Sequence, residues 1–249
     1  MDLGLAGAPA LVTGGSRGIG LAVARALAAE GARVALLGRD PDALSAAAAS
    51  VGTGTVTVRA DTTDDDAVRA AVETVADQLG GLDVVVNSAA PRAQPGQVPG
   101  IAGLDDEDFL RQVDTKALGY ARVVRAAAPF LERAAGGRVV NISGMNARMT
   151  GSITGSVRNI AVVAITKNLA DELGPRGVSV TCVHPGLTVT ERVADDAALL
   201  ELAAQNGIGR PVTADDVAGV VVFLASPRAA AANGAVVTLD GGRPGPIWG

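Results

Sequence analysis

The sequence predicts an α/β protein: a single doubly wound domain with a parallel sheet of about seven strands flanked by helices. Three observations predict it. Short Val-rich runs alternate with Ala-rich helical stretches along all 249 residues, the runs are apolar on both faces, and the first strand–helix junction is glycine-rich. A strand covered on both faces reads as a continuous apolar run. Regular alternation of such strands with helices gives a Rossmann-like sheet.

The elements follow in order. Strands are predicted at 9–13, 33–37, 55–59, 83–87, 138–143, 178–183 and 235–239, each dominated by Val, Leu, Ile or Ala. Helices are predicted at 18–30, 41–50, 64–79, 105–133, 155–173 and 214–225. Asp64 and Thr213 are placed to accept hydrogen bonds from free N–H groups as N-caps. Gly31, Gly80, Gly174 and Gly177 stand where helices should stop. With neither a linker nor a repeat, residues 1–249 read as one domain. Two segments break the rhythm. APRAQPGQVPGIAG (90–103) must be a loop. The stretch from about 187 to 211 is an insertion with a short helical pattern carrying Leu199, Leu200 and Leu202. Both follow strands at the end where open α/β sheets bind ligands. Both should cap a cleft, the second as a lid.

Composition narrows the function classes. Hydrophobic residues make up 48% but aromatics only 2%, so the core must be filled by Ala, Val, Leu and Ile. A net charge of −5 gives no electrostatic case for nucleic acid. The lone Cys182 excludes an intrachain disulfide and a multi-cysteine metal site, and reads as an inert strand residue. No metal is expected. No apolar run reaches membrane-span length, and the N-terminus lacks a basic signal region. The expectation is a cytoplasmic protein acting on a small molecule.

LVTGGSRGIG (11–20) joins the first strand to the first helix. Gly14, Gly18 and Gly20 let the backbone turn tightly and approach a ligand. The helix start near Gly18 aims free N–H groups and a positive dipole end at an anion, so a pyrophosphate fits there. At the end of the second strand, LLGRDP offers Arg39, with Arg17 available from the loop. Two guanidiniums grip a 2′-phosphate, whereas a carboxylate at that tip would favour NAD. NADP(H) is therefore favoured over NAD(H); the alternative leaves Arg39 a solvated loop charge. GGSRG also fits the nucleophile-elbow pattern around Ser16, with His184 the sole histidine. An elbow follows several strands, however, and Ser16 follows the first.

Together these motifs resemble the short-chain dehydrogenases/reductases. TGGSRGIG (13–20), including Ser16 and Ile19, is similar to that family's cofactor loop. Asp61 in RADTTD looks like its adenine-contacting acid. NSAA (87–90) resembles its Asn-Asn-Ala-Gly turn, keeping Asn87 and Ala89. HPGLTVT (184–190) is similar to the segment in which Pro185, Gly186, Thr188 and Thr190 would hold the nicotinamide amide. GRPVTADDVAGVVVFLAS and GAVVTLDGG look like the last helix and strand.

The resemblance also marks a departure. The family uses a Tyr as general acid/base, a Lys four residues later, a Ser that polarises the substrate oxygen and an Asn on the preceding helix. Aligned on ITKNLADELGPRGVSV (165–180), the Tyr position falls on Gly155 and the Lys position on Asn159. The Ser position falls on Gly144, with Ser143 one residue early, and the Asn position on Lys116. The only tyrosine is Tyr120, far from position 155 in the chain. Lys116, Ser143 and Asn159 are thus the candidate catalytic groups. Lys116 and Asn159 look exchanged, which would keep an ammonium near the cofactor ribose and bring Lys116 Nζ within reach of the ribose or of Asn159. Otherwise Lys116 is a surface or interface residue.

Three readings follow: a divergent NADP(H)-dependent oxidoreductase of a carbonyl or hydroxyl compound, a catalytically inactive subunit, or a non-redox isomerase, dehydratase or cyclase reusing the cleft. The resemblance implies a homo-oligomer, or a hetero-oligomer with an active paralogue. IAVVAITKNLA (160–170) is apolar over most of its circumference, as a helix packed on both sides would be. Trp248 in the tail either anchors a subunit contact or is frayed.

Overall fold

The computed structural model of the chain describes residues 1–91, 100–191 and 194–245. Trp248, most of the 90–103 loop, and residues 192 and 193 of the insertion lie outside the described residues. In chain order the elements are β1 (Pro9–Thr13), α1 (Gly18–Ala29), β2 (Arg33–Gly38), α2 (Pro41–Val51), β3 (Val56–Arg59), α3 (Asp65–Leu79) and β4 (Val84–Asn87). There follow α4 (Asp106–Val113), a π-helical turn (Asp114–Leu118), α5 (Gly119–Leu131), β5 (Arg138–Ile142), α6 (Ile153–Leu173) and β6 (Ser179–Pro185). The chain then forms β7 (Thr188–Val189), α7 (Ala197–Ala203), β8 (Val212–Thr213), α8 (Ala214–Leu224) and β9 (Val236–Leu239).

Seven strands form one parallel sheet in the order β3-β2-β1-β4-β5-β6-β9. The order reverses between β1 and β4, and this crevice at the carboxyl ends of the strands is where ligands bind in open α/β sheets. Consecutive strand residues feed opposite faces. Val12, Val86 and Val140 pack with α1, α2 and α8, while Leu11, Val85 and Val139 pack with α3, α5 and α6. With two apolar layers to fill, the strands have no polar face, and the small residues keep the helices close. Both predicted caps are present: Asp64 accepts from Ala67 N–H, and Thr213 and Asp216 form a reciprocal capping box. Gly80, in the left-handed region, ends α3.

Two expectations need correction. The predicted helix over 105–133 is broken, because Asp114–Leu118 is wound as a π turn between α4 and α5. One extra residue in the turn buries Thr115, Lys116 and Ala117 together, and π turns inside helices recur at functional sites. Secondly, β6 runs on through His184 and Pro185, because β9 pairs with both. Leu199, Leu200 and Leu202 do lie on a short helix, α7.

Candidate active site

A cleft of about 1240 Å³ opens at the carboxyl edge of the sheet. One half is built by the turns after β1, β2 and β3. Gly14 has φ of +64°, and a Cβ there would stand 2.8 Å from the Ala89 backbone. A Cβ on Gly20 would lie 2.3 Å from the Gly14 carbonyl oxygen. These two glycines let loop and helix close on each other, so that the start of α1 faces the cleft. Gly20 itself does not line it. Gly18 N–H donates to both carboxylate oxygens of Glu191, at 2.9 and 3.2 Å. A carboxylate is thus held at the positive end of α1, as an anion site there requires. Ser16, Arg17, Gly18 and Ile19 line this half of the cleft.

Arg39 stands at the end of β2, its Nη1 3.6 Å from Asp61 Oδ2, with both side chains well exposed. Asp61 Oδ1 accepts from the Thr63 N–H and hydroxyl, each at 3.0 Å. The Arg39–Asp61 pair is a weak surface contact. Ala89 lines the cleft, but Asn87 does not. Asn87 is fully buried, donating to Asn141 Oδ1 at 3.0 Å, and Asn141 donates to Thr166 Oγ1 at 2.9 Å. Its amide ties β4 to β5 and α6 because a buried polar group must be paired. Any action on a ligand in the cleft is therefore through the turn that follows it.

The other half lies after β5 and β6. Pro185, Gly186, Thr188 and Thr190 border it. Thr188 Oγ1 donates to the Gly186 carbonyl at 3.1 Å, and Gly186 sits too close to Asp240 for a Cβ. Across from them, Lys116 is 5% exposed. Its Nζ donates to the Ser143 carbonyl at 2.8 Å and to Asn159 Oδ1 at 2.9 Å. Reach to Asn159 is one of the two contacts expected for Lys116 from the sequence. Ser143 Oγ donates to the Asn159 carbonyl at 2.9 Å and so fixes α6 against β5. Burial, reinforced by the nearby Arg158 guanidinium, lowers the Lys116 pKa to about 7. The π turn, the end of β5 and the second turn of α6 therefore converge on one buried amine.

Gly144 leaves the space that makes this possible. A Cβ at Gly144 would lie 2.9 Å from Asn159 Nδ2, so the amide fills the room a larger residue would take. Gly155 is buried in the first turn of α6, against Ser152 and Asn146. Its N–H is capped by Ser152 Oγ at 2.9 Å, and it does not line the cleft. Tyr120, remote in the chain from position 155, does line the cleft, which the sequence reading missed. Its hydroxyl donates to the Ile142 carbonyl at 3.1 Å, and burial pushes its pKa well above the ordinary phenol value. It is held as a neutral donor. Its i, i+4 spacing from Lys116 is the signal that could have placed it there.

Ser16 and His184 lie on opposite sides of the crevice. β1 and β6 are separated by β4 and β5, roughly 14 Å at ~4.8 Å per strand spacing, which disposes of a nucleophile elbow. His184 is buried, and its pKa falls to about 4 through burial and the charges of Arg148 and Lys116. Cys182 is buried in β6, where burial lifts its thiol to about 11. Among the described residues no acidic, His or Cys cluster could hold a metal, and no helix is long and apolar enough to cross a membrane.

The profile of the family described as Enoyl-(Acyl carrier protein) reductase matches residues 14–243. The chain is 33% identical to the short-chain reductase protein NovJ of Streptomyces niveus, over 94% of this chain and 93% of that one. It is 32% identical to the 3-alpha-(or 20-beta)-hydroxysteroid dehydrogenase of Mycobacterium tuberculosis, covering 96% and 90%. Among solved structures, a short chain dehydrogenase from Burkholderia cenocepacia in complex with NADP superposes with a TM-score of 0.87 at 35% identity, covering 96% and 98%. L-Sorbose reductase from Gluconobacter frateurii, complexed with NADPH and L-sorbose, gives 0.87 at 29% identity, covering 97% and 98%. The fold and site define a nucleotide-binding oxidoreductase scaffold. The chain belongs to the short-chain dehydrogenase/reductase family.

Proposed function

We propose that this chain is a single-domain NADP(H)-dependent oxidoreductase of a small carbonyl or hydroxyl compound, in which Lys116 holds the proton that the family's tyrosine would hold. The observation that carries this reading is the buried Lys116 amine, fixed by Ser143 and Asn159 and lowered to about neutral. A general acid works best with a pKa near the operating pH. The glycine loop, the anion site at Gly18 and the Arg39 tip fit a phosphorylated dinucleotide, and two structural relatives hold NADP or NADPH.

When bound, NADPH supplies the hydride. Arg39 and Arg17 would take the 2′-phosphate, the α1 N–H groups the pyrophosphate, and the 185–190 segment the nicotinamide amide. Protonated Lys116 donates one proton to the substrate oxygen as the carbonyl becomes a hydroxyl, leaving a neutral amine. Asn159 and the Ser143 carbonyl keep Nζ oriented in both protonation states. The 187–211 segment acts as a lid, with Leu199 and Leu202 excluding water. The test is a titration with NADPH and NADH, followed by NADPH oxidation against a carbonyl panel. Tighter NADPH binding with Lys116-dependent turnover supports the reading; binding of neither removes it.

A second reading, an inactive subunit paired with an active paralogue or with itself, is favoured by one surface. Leu110 on α4, Leu118 on the π turn, and Val157 and Ile160 on α6 are all exposed. Exposed apolar side chains on these neighbouring elements suit a subunit contact. Molar mass in solution tests assembly, and activity gained only on mixing with a paralogue supports this alternative.

A further inference from the structure

We propose that the substrate is a small oxo acid, whose carboxylate Arg158 receives while Lys116 faces its carbonyl oxygen. This inference rests on the oxidoreductase reading and names its substrate class.

The charge distribution of the cleft carries it. The chain as a whole is acidic, with a net charge of −5. The carboxylates that line the cleft, Asp40, Asp61 and Glu191, belong to the half around the α1 N-terminus and the ends of β2 and β3. The half formed by the π turn, β5 and α6 is lined by two cations, Lys116 and Arg158, and by no carboxylate. Neither cation has an ion-pair partner among the described residues. Lys116 bonds only to neutral oxygens.

Arg158 donates from Nη1 to Gln112 Oε1 at 2.5 Å, and its Nε is buried without a partner. Asp108 attracts it from a distance, but that carboxylate is already tied to Arg111 and Gln112. Two like charges in one desolvated wall repel each other, and a buried donor left unmade is costly. An anion between them offsets the repulsion. A guanidinium matches a carboxylate through two parallel hydrogen bonds. Met145, Met149, Leu199 and Leu202 line the same cleft and suit an apolar body on the acid.

The test loads the protein with NADP⁺, so that no reduction occurs, and titrates it calorimetrically with benzoylformate and with methyl benzoylformate. The acid should bind at least tenfold tighter than the ester. Arg158→Gln should abolish that preference, Arg158→Lys should keep part of it, and both should leave NADP⁺ affinity within twofold. Equal binding of acid and ester, binding of neither, or a preference that survives Arg158→Gln overturns the proposal. So does benzoylformate that only competes with NADP⁺, since the cations would then serve the cofactor. If NADP⁺ itself fails to bind, the oxidoreductase reading falls. The same titration on cofactor-free protein then decides the anion site separately.

Discussion

Lys116 Nζ and Asn159 Oδ1 stand 2.9 Å apart in one wall of the cleft, joining the π turn before α5 to the second turn of α6. The resemblance places an asparagine at the first position and a lysine at the second. Here the lysine stands at the first and the asparagine at the second, and a hydrogen bond joins them.

If Lys116 is the proton donor, Lys116→Met should lower NADPH-dependent reduction by about 10²–10⁴-fold, the usual worth of general acid catalysis. NADPH should still bind. Single-turnover rates and a separate binding titration check this. A rate unchanged by the substitution removes Lys116 from the chemistry.

The pH profile follows from the same amine. Its pKa of about 7 means that reduction, which needs the ammonium, should fall as pH rises through about 7. Oxidation of the alcohol should rise over the same range. Stability follows linkage. Between about 7 and about 10.5 the unfolded chain holds a proton that the folded one has lost. Stability therefore rises with pH across that window as far as this group is concerned. Urea melts of wild type and Lys116→Met at several pH values should show wild type gaining stability relative to the variant as pH rises through that window.

Glu191 occupies the anion site of α1 through Gly18 N–H, so a cofactor pyrophosphate must displace it. Glu191→Gln should tighten NADPH binding severalfold by removing a competing and repelling charge, and the gain should shrink at high salt. Fluorescence titration at two ionic strengths measures it.

Arg39 should set the cofactor preference. Arg39→Ala should weaken NADPH binding by about tenfold and leave NADH binding nearly unchanged, the magnitude expected of one charge-assisted hydrogen bond at an exposed site.

Asn87 acts inside the sheet. Asn87→Ala strands Asn141 and Thr13 without the amide that joins them. It should cost about 1–3 kcal/mol of stability, measurable as a lower urea midpoint with an unchanged slope.

Much of this was legible in the chain. β1 lies where its apolar run puts it, and Asp64 and Thr213 cap helices as their positions require. Local composition and period decide such features. The break at Asp114–Leu118 is not of that kind. Val113, Ala117, Tyr120 and Val124 keep a helical apolar spacing straight through it, and one extra residue in a turn leaves no compositional trace. Asn87 shows the converse. Its turn resembles a cofactor motif, but its side chain answers a hydrogen-bonding demand set by Asn141 on the next strand, which only the fold reveals. Glu191 on Gly18 depends on a long-range approach that no local pattern encodes.

The most direct measurement uses the scarcity of lysine in this chain, which has two, Lys116 and Lys167. Carbon-13 labelling of the lysine ε-carbons gives two NMR signals, and Lys116→Met assigns them by removing one. The account predicts that the Lys116 signal titrates near pH 7. A Lys116 signal that titrates at the ordinary lysine value, about 10.4, would contradict it.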